Sequence, residues 1–232
     1  MEPCAQATGG YLMRVNADFS RRIVVTPSQY TWVPSPQAGV ERVMLDRIGA
    51  EQARATSLVR YAPNSTFPAH HHPGGEEIFV LSGTFSADGQ DYPPGGYLRN
   101  PPGSSHRPSS RDGATIFVKL RQMSATQDQP VSLDTREASH WKPVAGGEVC
   151  VLFVDAQEHV ELRRLHANET IRCGETSHIV EVLVTAGTLL LDGATLPAGS
   201  WIRLPAGDAI MLTAGSDGVC VYRKIYMPPV QA

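Results

Sequence analysis

Apolar and polar positions alternate along most of the chain in short runs, and the runs stop at Gly, Pro, Asn, Asp or Ser. Examples are TSLVRYA, EEIFVLSG, GGYLRN, ATIFVKL, EVCVLFVD, VELRRL and CVYRKIY. A period of two closed by turn residues is the mark of half-buried strands. Within EEIFVLSG the alternation places Glu76, Ile78 and Val80 on one face and Glu77, Phe79 and Leu81 on the other. The stretch ERVMLDRIGAEQAR could hold a helical turn, but Glu41 to Arg47 reads as a strand.

The pattern occurs twice. EEIFVLSGTFSADGQDYPPGGYLRNPPGSSH in the first half is echoed by VEVLVTAGTLLLDGATLPAGSWIRLPAGDAI in the second. Gly83 matches Gly187, Gly95 matches Gly199, Pro101 matches Pro205 and Gly103 matches Gly207, each at an offset of 104 residues. A constant offset over four turn-type residues marks an internal repeat. Trp32 and Pro34 in YTWVPSP are echoed by Trp141 and Pro143 in SHWKPVA. The division falls in the polar segment RQMSATQDQPVSLDTRE, which reads as a linker or as the first strand of the second copy. The expected units are residues 1–125 and 126–232 of the 232-residue chain. Two all-β modules of this size predict two tandem jelly-roll β-barrels.

Composition changes this picture little. The 21 glycines and 18 prolines suit many short strands joined by tight turns. A formal net charge of -3 gives no reason to expect nucleic acid or an acidic membrane as a partner. No run approaches the roughly 20 apolar residues of a membrane span, and the start MEPCAQATGGYLMRVNADFSRR lacks a signal-peptide core. Cys4, Cys150, Cys173 and Cys220 form no CxxC unit, so reduced thiols in a cytoplasmic protein are expected.

The candidate chemistry lies in FPAHHHPGGEEIFVLSG. His70 and His72 share a face while His71 points away. The Pro-Gly-Gly turn lets the chain bring Glu76 back across them. A fourth candidate, His106, follows the turn residues of GGYLRNPPGSSH. Two or three imidazoles and a carboxylate facing inward suit a divalent transition metal, without which they would be costly to bury.

These segments resemble the two motifs of the cupin superfamily: HxHxxxE, six residues and Gly from His70 to Gly83, then G, five residues and PxGxxH from Gly95 to His106. Ser110 replaces the asparagine usual four positions after the histidine. The resemblance implies a small β-barrel in which His70, His72, Glu76 and His106 hold one metal ion, zinc, iron, nickel or manganese. The wording around the motif is also similar to the cupin domains of ChrR-like anti-sigma factors. Cys4 stands without the HCxxC-type signature of their sigma-binding zinc domain, so that half is expected to be missing. Such bicupins also resemble the acetylacetone-cleaving iron dioxygenases.

The second copy reads as metal-free. At the same offset His70, His72, Glu76 and His106 become Gly174, Thr176, Val180 and Ile210. Cys173, Glu175 and His178 stand beside the vacated positions. The main expectation is therefore a metal-binding bicupin of regulatory or sensor type, binding a metal and a small ligand. The alternative is an iron-dependent dioxygenase acting on a small diketone or similar enolisable substrate. Homodimerisation and a regulatory protein partner are further expectations: Glu77, Phe79, Leu81 and Phe85 would need cover, which the second copy or a second subunit could supply.

Overall fold

The computed structural model describes residues 13–174 and 177–228, and within them the chain is built from strands, with single-turn 3-10 helices at Pro27–Gln29 and Ala138–His140. Cys4, Glu175 and Thr176 lie outside the described residues. The first half carries an eight-stranded antiparallel sheet. Its spatial order is Arg14–Val15, Val40–Ile48, Arg54–Tyr61, Ala114–Leu120, Glu76–Gly83, Gly96–Asn100 and Val131–Asp134, with Val33–Pro34 also paired to Val40–Ile48. A four-stranded sheet (Gln90–Tyr92, Phe85–Ala87, Pro108–Ser110, Ser65–Thr66) and a ribbon of His70–His71 with Ser105–His106 complete this half. The second half is one nine-stranded sheet centred on the long strands Ile179–Leu191 and Ile210–Tyr226.

The expected closed jelly-roll barrels are not what forms. The all-β class holds, but both large sheets run as open paths with two edges each. The strands that would close the first ring are only two or three residues long, and they hydrogen-bond among themselves rather than to the large sheet. One edge of each large sheet is meanwhile taken by a strand from the other half of the sequence. Val131–Asp134 pairs with Gly96–Asn100, and Ile23–Val25 pairs with Trp201–Leu204. The polar segment read as a linker or as the first strand of the second copy therefore contributes an edge strand to the first sheet.

Strand alternation divides the first half into two cores. Ile78, Val80, Leu98, Ile116 and Val118 of the large sheet pack on Phe85 and Ala87 of the small sheet. Phe79 and Leu81 face the other way, joining Val43, Leu58 and Phe117 against Leu162, Leu183, Trp201 and Tyr222 of the second half. The cover expected for Glu77, Phe79 and Leu81 is thus the second half of the same chain, whereas Phe85 lies inside its own half. Gly83 shows why the repeat keeps its glycines. Its φ is +68°, and a Cβ there would sit 2.0 Å from the carbonyl oxygen of Gly113; Gly187 is in the same position against Gly218.

Buried charges cross between the two large sheets in a reciprocal arrangement. Lys224 Nζ donates to Glu77 Oε2 at 2.6 Å, and Lys119 Nζ donates to Glu181 Oε2 at 2.6 Å. All four residues are at most 3% exposed. Glu77 also accepts from Arg99, Tyr97 and Tyr222, and Glu181 from Trp201 and Tyr226. Burial alone would raise the Glu77 carboxyl, but the charges of Lys224 and Arg99 outweigh it and hold the group down at about 2.

Lys224 also pairs with Glu158 at 2.5 Å, so removing it leaves two buried carboxylates to share Arg99 in a dry interface, a loss of about 3–5 kcal/mol. Lys224→Met is expected to lower unfolding stability by this order in denaturant titrations, and pairing it with Glu77→Gln to recover part of the loss. Because the folded carboxyl is depressed, its contribution is complete above the ordinary glutamate range near 4.3 and is lost as pH falls through about 2. Native protein is therefore expected to lose stability over that acid window, and Glu77→Gln to show a flatter profile there.

Candidate metal centre

The centre is assembled by the ribbon and by the first residue of a central strand. His70 pairs directly with His106 across the ribbon. The His72 amide donates to the Ser104 carbonyl at 2.9 Å, and the Gly103 amide returns a bond to the His72 carbonyl at 2.9 Å. The turn then closes from the Gly75 amide to the His72 carbonyl. Gly75 has φ +75°, and a Cβ there would lie 2.5 Å from Met123 Sδ. This tight turn delivers Glu76 to the head of strand Glu76–Gly83, pointing to the same side as Ile78 and Val80.

The four residues converge. One ligand atom from each of His70, His72, Glu76 and His106 lies within 4.8 Å of all the others. The rings of His70, His72 and His106 stand 4.6–4.9 Å apart, edge to face. Nε2 of His72 and Nε2 of His106 are each 3.5 Å from the same oxygen, Glu76 Oε2. His72, Glu76 and His106 are buried, whereas His70 is exposed at the mouth; His71 between the two histidines is also exposed.

The electrostatics suit a cation. Burial and the neighbouring imidazoles push His72 down to about 3, and burial with His70 beside it pushes His106 down to about 4. Both rings are therefore neutral and carry lone pairs at physiological pH. Burial pushes Glu76 up to about 7, opposed only by a hydrogen bond from Asn100 Nδ2 at 3.0 Å. Nε2 of His72 is buried with no hydrogen-bond partner. A divalent ion among these atoms would satisfy that nitrogen and offset the buried carboxylate. Three nitrogens and one oxygen are a donor set for one divalent transition metal per chain, and an octahedral ion would keep two positions for other ligands.

A cavity of about 590 Å³ opens onto the cluster. Besides His70, His72 and Glu76 its wall includes Ser57, Tyr61 and Arg47. Burial and the nearby Glu76 carboxyl raise the Tyr61 hydroxyl above its usual range, so it stays protonated and able to donate. Motif spacing gave no hint of Tyr61, Arg47 or Asn100, because these side chains reach the site from other strands. Ser110, where the motif usually has asparagine, instead donates to the Thr84 carbonyl at 2.7 Å.

No second cluster of this kind occurs among the described residues. Val180 and Ile210 are buried apolar residues where Glu76 and His106 stand in the first half. Nearby, Glu161 takes the place of Ser57, and Arg163 and Arg223 those of Val59 and Val118, as matching strand registers show. Glu161 pairs with Arg223 at 2.7 Å, His159 at 3.1 Å and Arg163 at 3.4 Å. Glu161 and its three partners occupy the interior with a charge cluster that the repeat alignment did not anticipate, and within it Nε of Arg163, Nε of Arg223 and Nε2 of His159 are buried without a hydrogen-bond partner. Cys173 is buried beside them.

Residues 20–124 match the family described as "ChrR Cupin-like domain". Among solved structures, the chain is similar to a candidate dioxygenase from Nostoc punctiforme, with TM-score 0.75 and 13% identity over 92% of this chain and 85% of that one. It is similar to the bacterial pirin YhhW of Escherichia coli in complex with nickel(II), with TM-score 0.66 and 12% identity over 90% of this chain and 100% of that one. A third likeness is to a deletion mutant of Bacillus subtilis oxalate decarboxylase, with TM-score 0.63 and 10% identity over 88% of this chain and 76% of that one. No curated protein is significantly similar in sequence. The chain therefore has a cupin-superfamily fold with a site suited to a metal. No helix among the described residues is long and apolar enough to cross a membrane.

Loss of a ligand should remove the ion. His72→Ala is expected to abolish stoichiometric metal and to lower the melting temperature of protein purified with metal, because binding to the native state stabilises it; unchanged metal content by elemental analysis would exclude His72. Binding requires an ionised Glu76. Metal affinity should therefore fall by roughly tenfold per pH unit below about 7 and level off above it, as read by competition with a chelator.

Proposed function

We propose that the protein is a metal-dependent enzyme of the dioxygenase kind, with His70, His72, Glu76 and His106 as ligands and a small enolisable molecule, such as a diketone, as substrate. The observation that carries this reading is the cavity: His70, His72 and Glu76 stand on the wall of a space of about 590 Å³, with His106 clustered beside them and His70 at an exposed mouth. A metal used only to staple the fold needs no such access. When bound, an octahedral iron(II) would supply open positions for an enolate and dioxygen and the redox chemistry between them.

The chain's own residues would do the rest. The apolar wall of Val59, Ile116 and Val118 excludes water from the bound substrate. Tyr61, held protonated, offers a hydrogen bond to an oxygen of the substrate. Asn100 orients the Glu76 carboxylate. In this reading residues 1–125 are the metal-binding unit of a bicupin and residues 126–232 a degenerate unit that supports it. The similarity to a candidate dioxygenase agrees with an enzyme. The match of residues 20–124 to the ChrR Cupin-like family favours a second reading, a regulatory protein that senses a metal or small ligand.

The two separate on turnover. Protein purified without chelator and reconstituted with iron(II) is expected to consume oxygen with small β-diketones, and His106→Ala to be inactive. Tight zinc binding, with no oxygen uptake after iron reconstitution, would remove the enzyme reading in favour of the regulatory one.

A further inference from the structure

The cavity has a second pole. Strand Val40–Ile48 carries a β-bulge between Met44 and Asp46, where Leu45 is left without a partner on strand Arg54–Tyr61. Arg42 and Arg47 are five residues apart and would face opposite sides of a regular strand. The extra residue brings both onto the side that lines the cavity, while Val43 and Leu45 pack into the interface between the halves.

Arg47 is 2% exposed. Its Nε donates to the Gly49 carbonyl at 3.2 Å and its Nη2 to the Ala50 carbonyl. Among the described residues no carboxylate forms an ion pair with it, and its Nη1 takes part in no hydrogen bond. Arg42 pairs with Glu51 at 3.1 Å, but its Nε is buried without an acceptor. The Glu51 carboxylate paired with Arg42 also acts on Arg47, so these two guanidiniums share one carboxylate, and an anion supplied by a ligand would offset the charge left over.

The position is in register with the metal centre. Arg47 lies opposite Ala55, Ala55 opposite Leu120, and Leu120 opposite Glu76. Three strand spacings of about 4.8 Å place the two backbones roughly 14 Å apart, and both side chains reach into the same cavity. In the second half the matching registers put Val149 at the place of Arg42 and Val154 at the place of Arg47. The second half, which has no such cluster among the described residues, has neither arginine at these places.

The geometry points to Arg47, assisted by Arg42, as an anion receptor in the metal cavity, so that the substrate is a small carboxylate that also presents an enolisable head to the metal. This inference rests on the enzyme reading for the head group alone; the carboxylate preference is a property of the cavity. Arg's planar fork suits a carboxylate held by two parallel bonds.

The test uses full-length protein loaded with nickel(II), titrated calorimetrically with 4,6-dioxoheptanoate and with its methyl ester, which share one diketone head. The acid is expected to bind at least tenfold more tightly than the ester. Arg47→Gln should bring the ratio close to one while metal content stays at one per chain, and Arg47→Lys, which keeps the charge, should retain part of the preference. Equal binding of acid and ester, no binding of the acid, or an unchanged ratio in a metal-replete Arg47→Gln protein would overturn the receptor. Should Arg47→Gln lose its metal or fold, Arg47→Lys and the acid-to-ester ratio of the native protein decide. Oxygen uptake by iron-loaded protein with neutral pentane-2,4-dione separates the two claims. Uptake without an acid preference sinks the receptor and leaves the enzyme; an acid preference without uptake of oxygen by any diketone sinks the enzyme and leaves the receptor.

Discussion

The buried pairing of Glu77 with Lys224 is the contact on which the geometry of the site depends. Glu76 and Glu77 are consecutive on a central strand, so one faces the cavity and the other the second half of the chain. A one-residue slip would exchange them. It would carry the metal-facing carboxylate into the interface with Lys224, Arg99 and Tyr222, and leave the cavity without its oxygen donor. The network around Glu77 therefore fixes the register that aims Glu76. The reciprocal pair, Glu181 with Lys119, does the same from the other side, since Lys119 stands directly opposite Glu77 on the neighbouring strand.

Much of this was legible in the sequence because it is local. The alternation in EEIFVLSG separates the two faces of the central strand as observed. Glu41 to Arg47 lies within a strand, and the spacing of His70, His72, Glu76 and His106 foretold a cluster that forms. What was not legible depends on pairing between distant segments. Edge strands exchanged between the halves are only three or four residues long, too short for a pattern that names their partner. Closure of a barrel is a property of hydrogen bonding at sheet edges, which a strand pattern does not specify, and here one edge of each large sheet is occupied by an exchanged strand. Arg47 was hidden for another reason: its facing is set by a bulge, and strict alternation assigns it to the wrong side.

The second half shows what the same topology becomes when nothing has to be admitted. Glu161 with Arg163, Arg223 and His159 occupies the interior with charges paired inside the chain. Val180 and Ile210 take positions that hold ligands in the first half. Burying a carboxylate among cations is tolerable when the partners are internal. The second half's own apolar and charged side chains occupy this interior, and its outer face is the wall against which the first half is held.

That contrast bears on the choice between a structural and a ligand-binding metal. If the ion in the first half served only to hold strands together, the space beside it could be filled as it is in the second half, by Glu, Arg and apolar side chains of the same strands. Instead the first half keeps Ser57 and Val59 where the second has Glu161 and Arg163, leaving room. It keeps a lone pair on His72 and, on Arg47, a guanidinium that forms no ion pair of its own, at two ends of one cavity. Two unmet polar demands of opposite character are costly to maintain in a stable fold. A cation at one end and an anion at the other relieve both, and a molecule that bears the anion while binding the cation relieves them together.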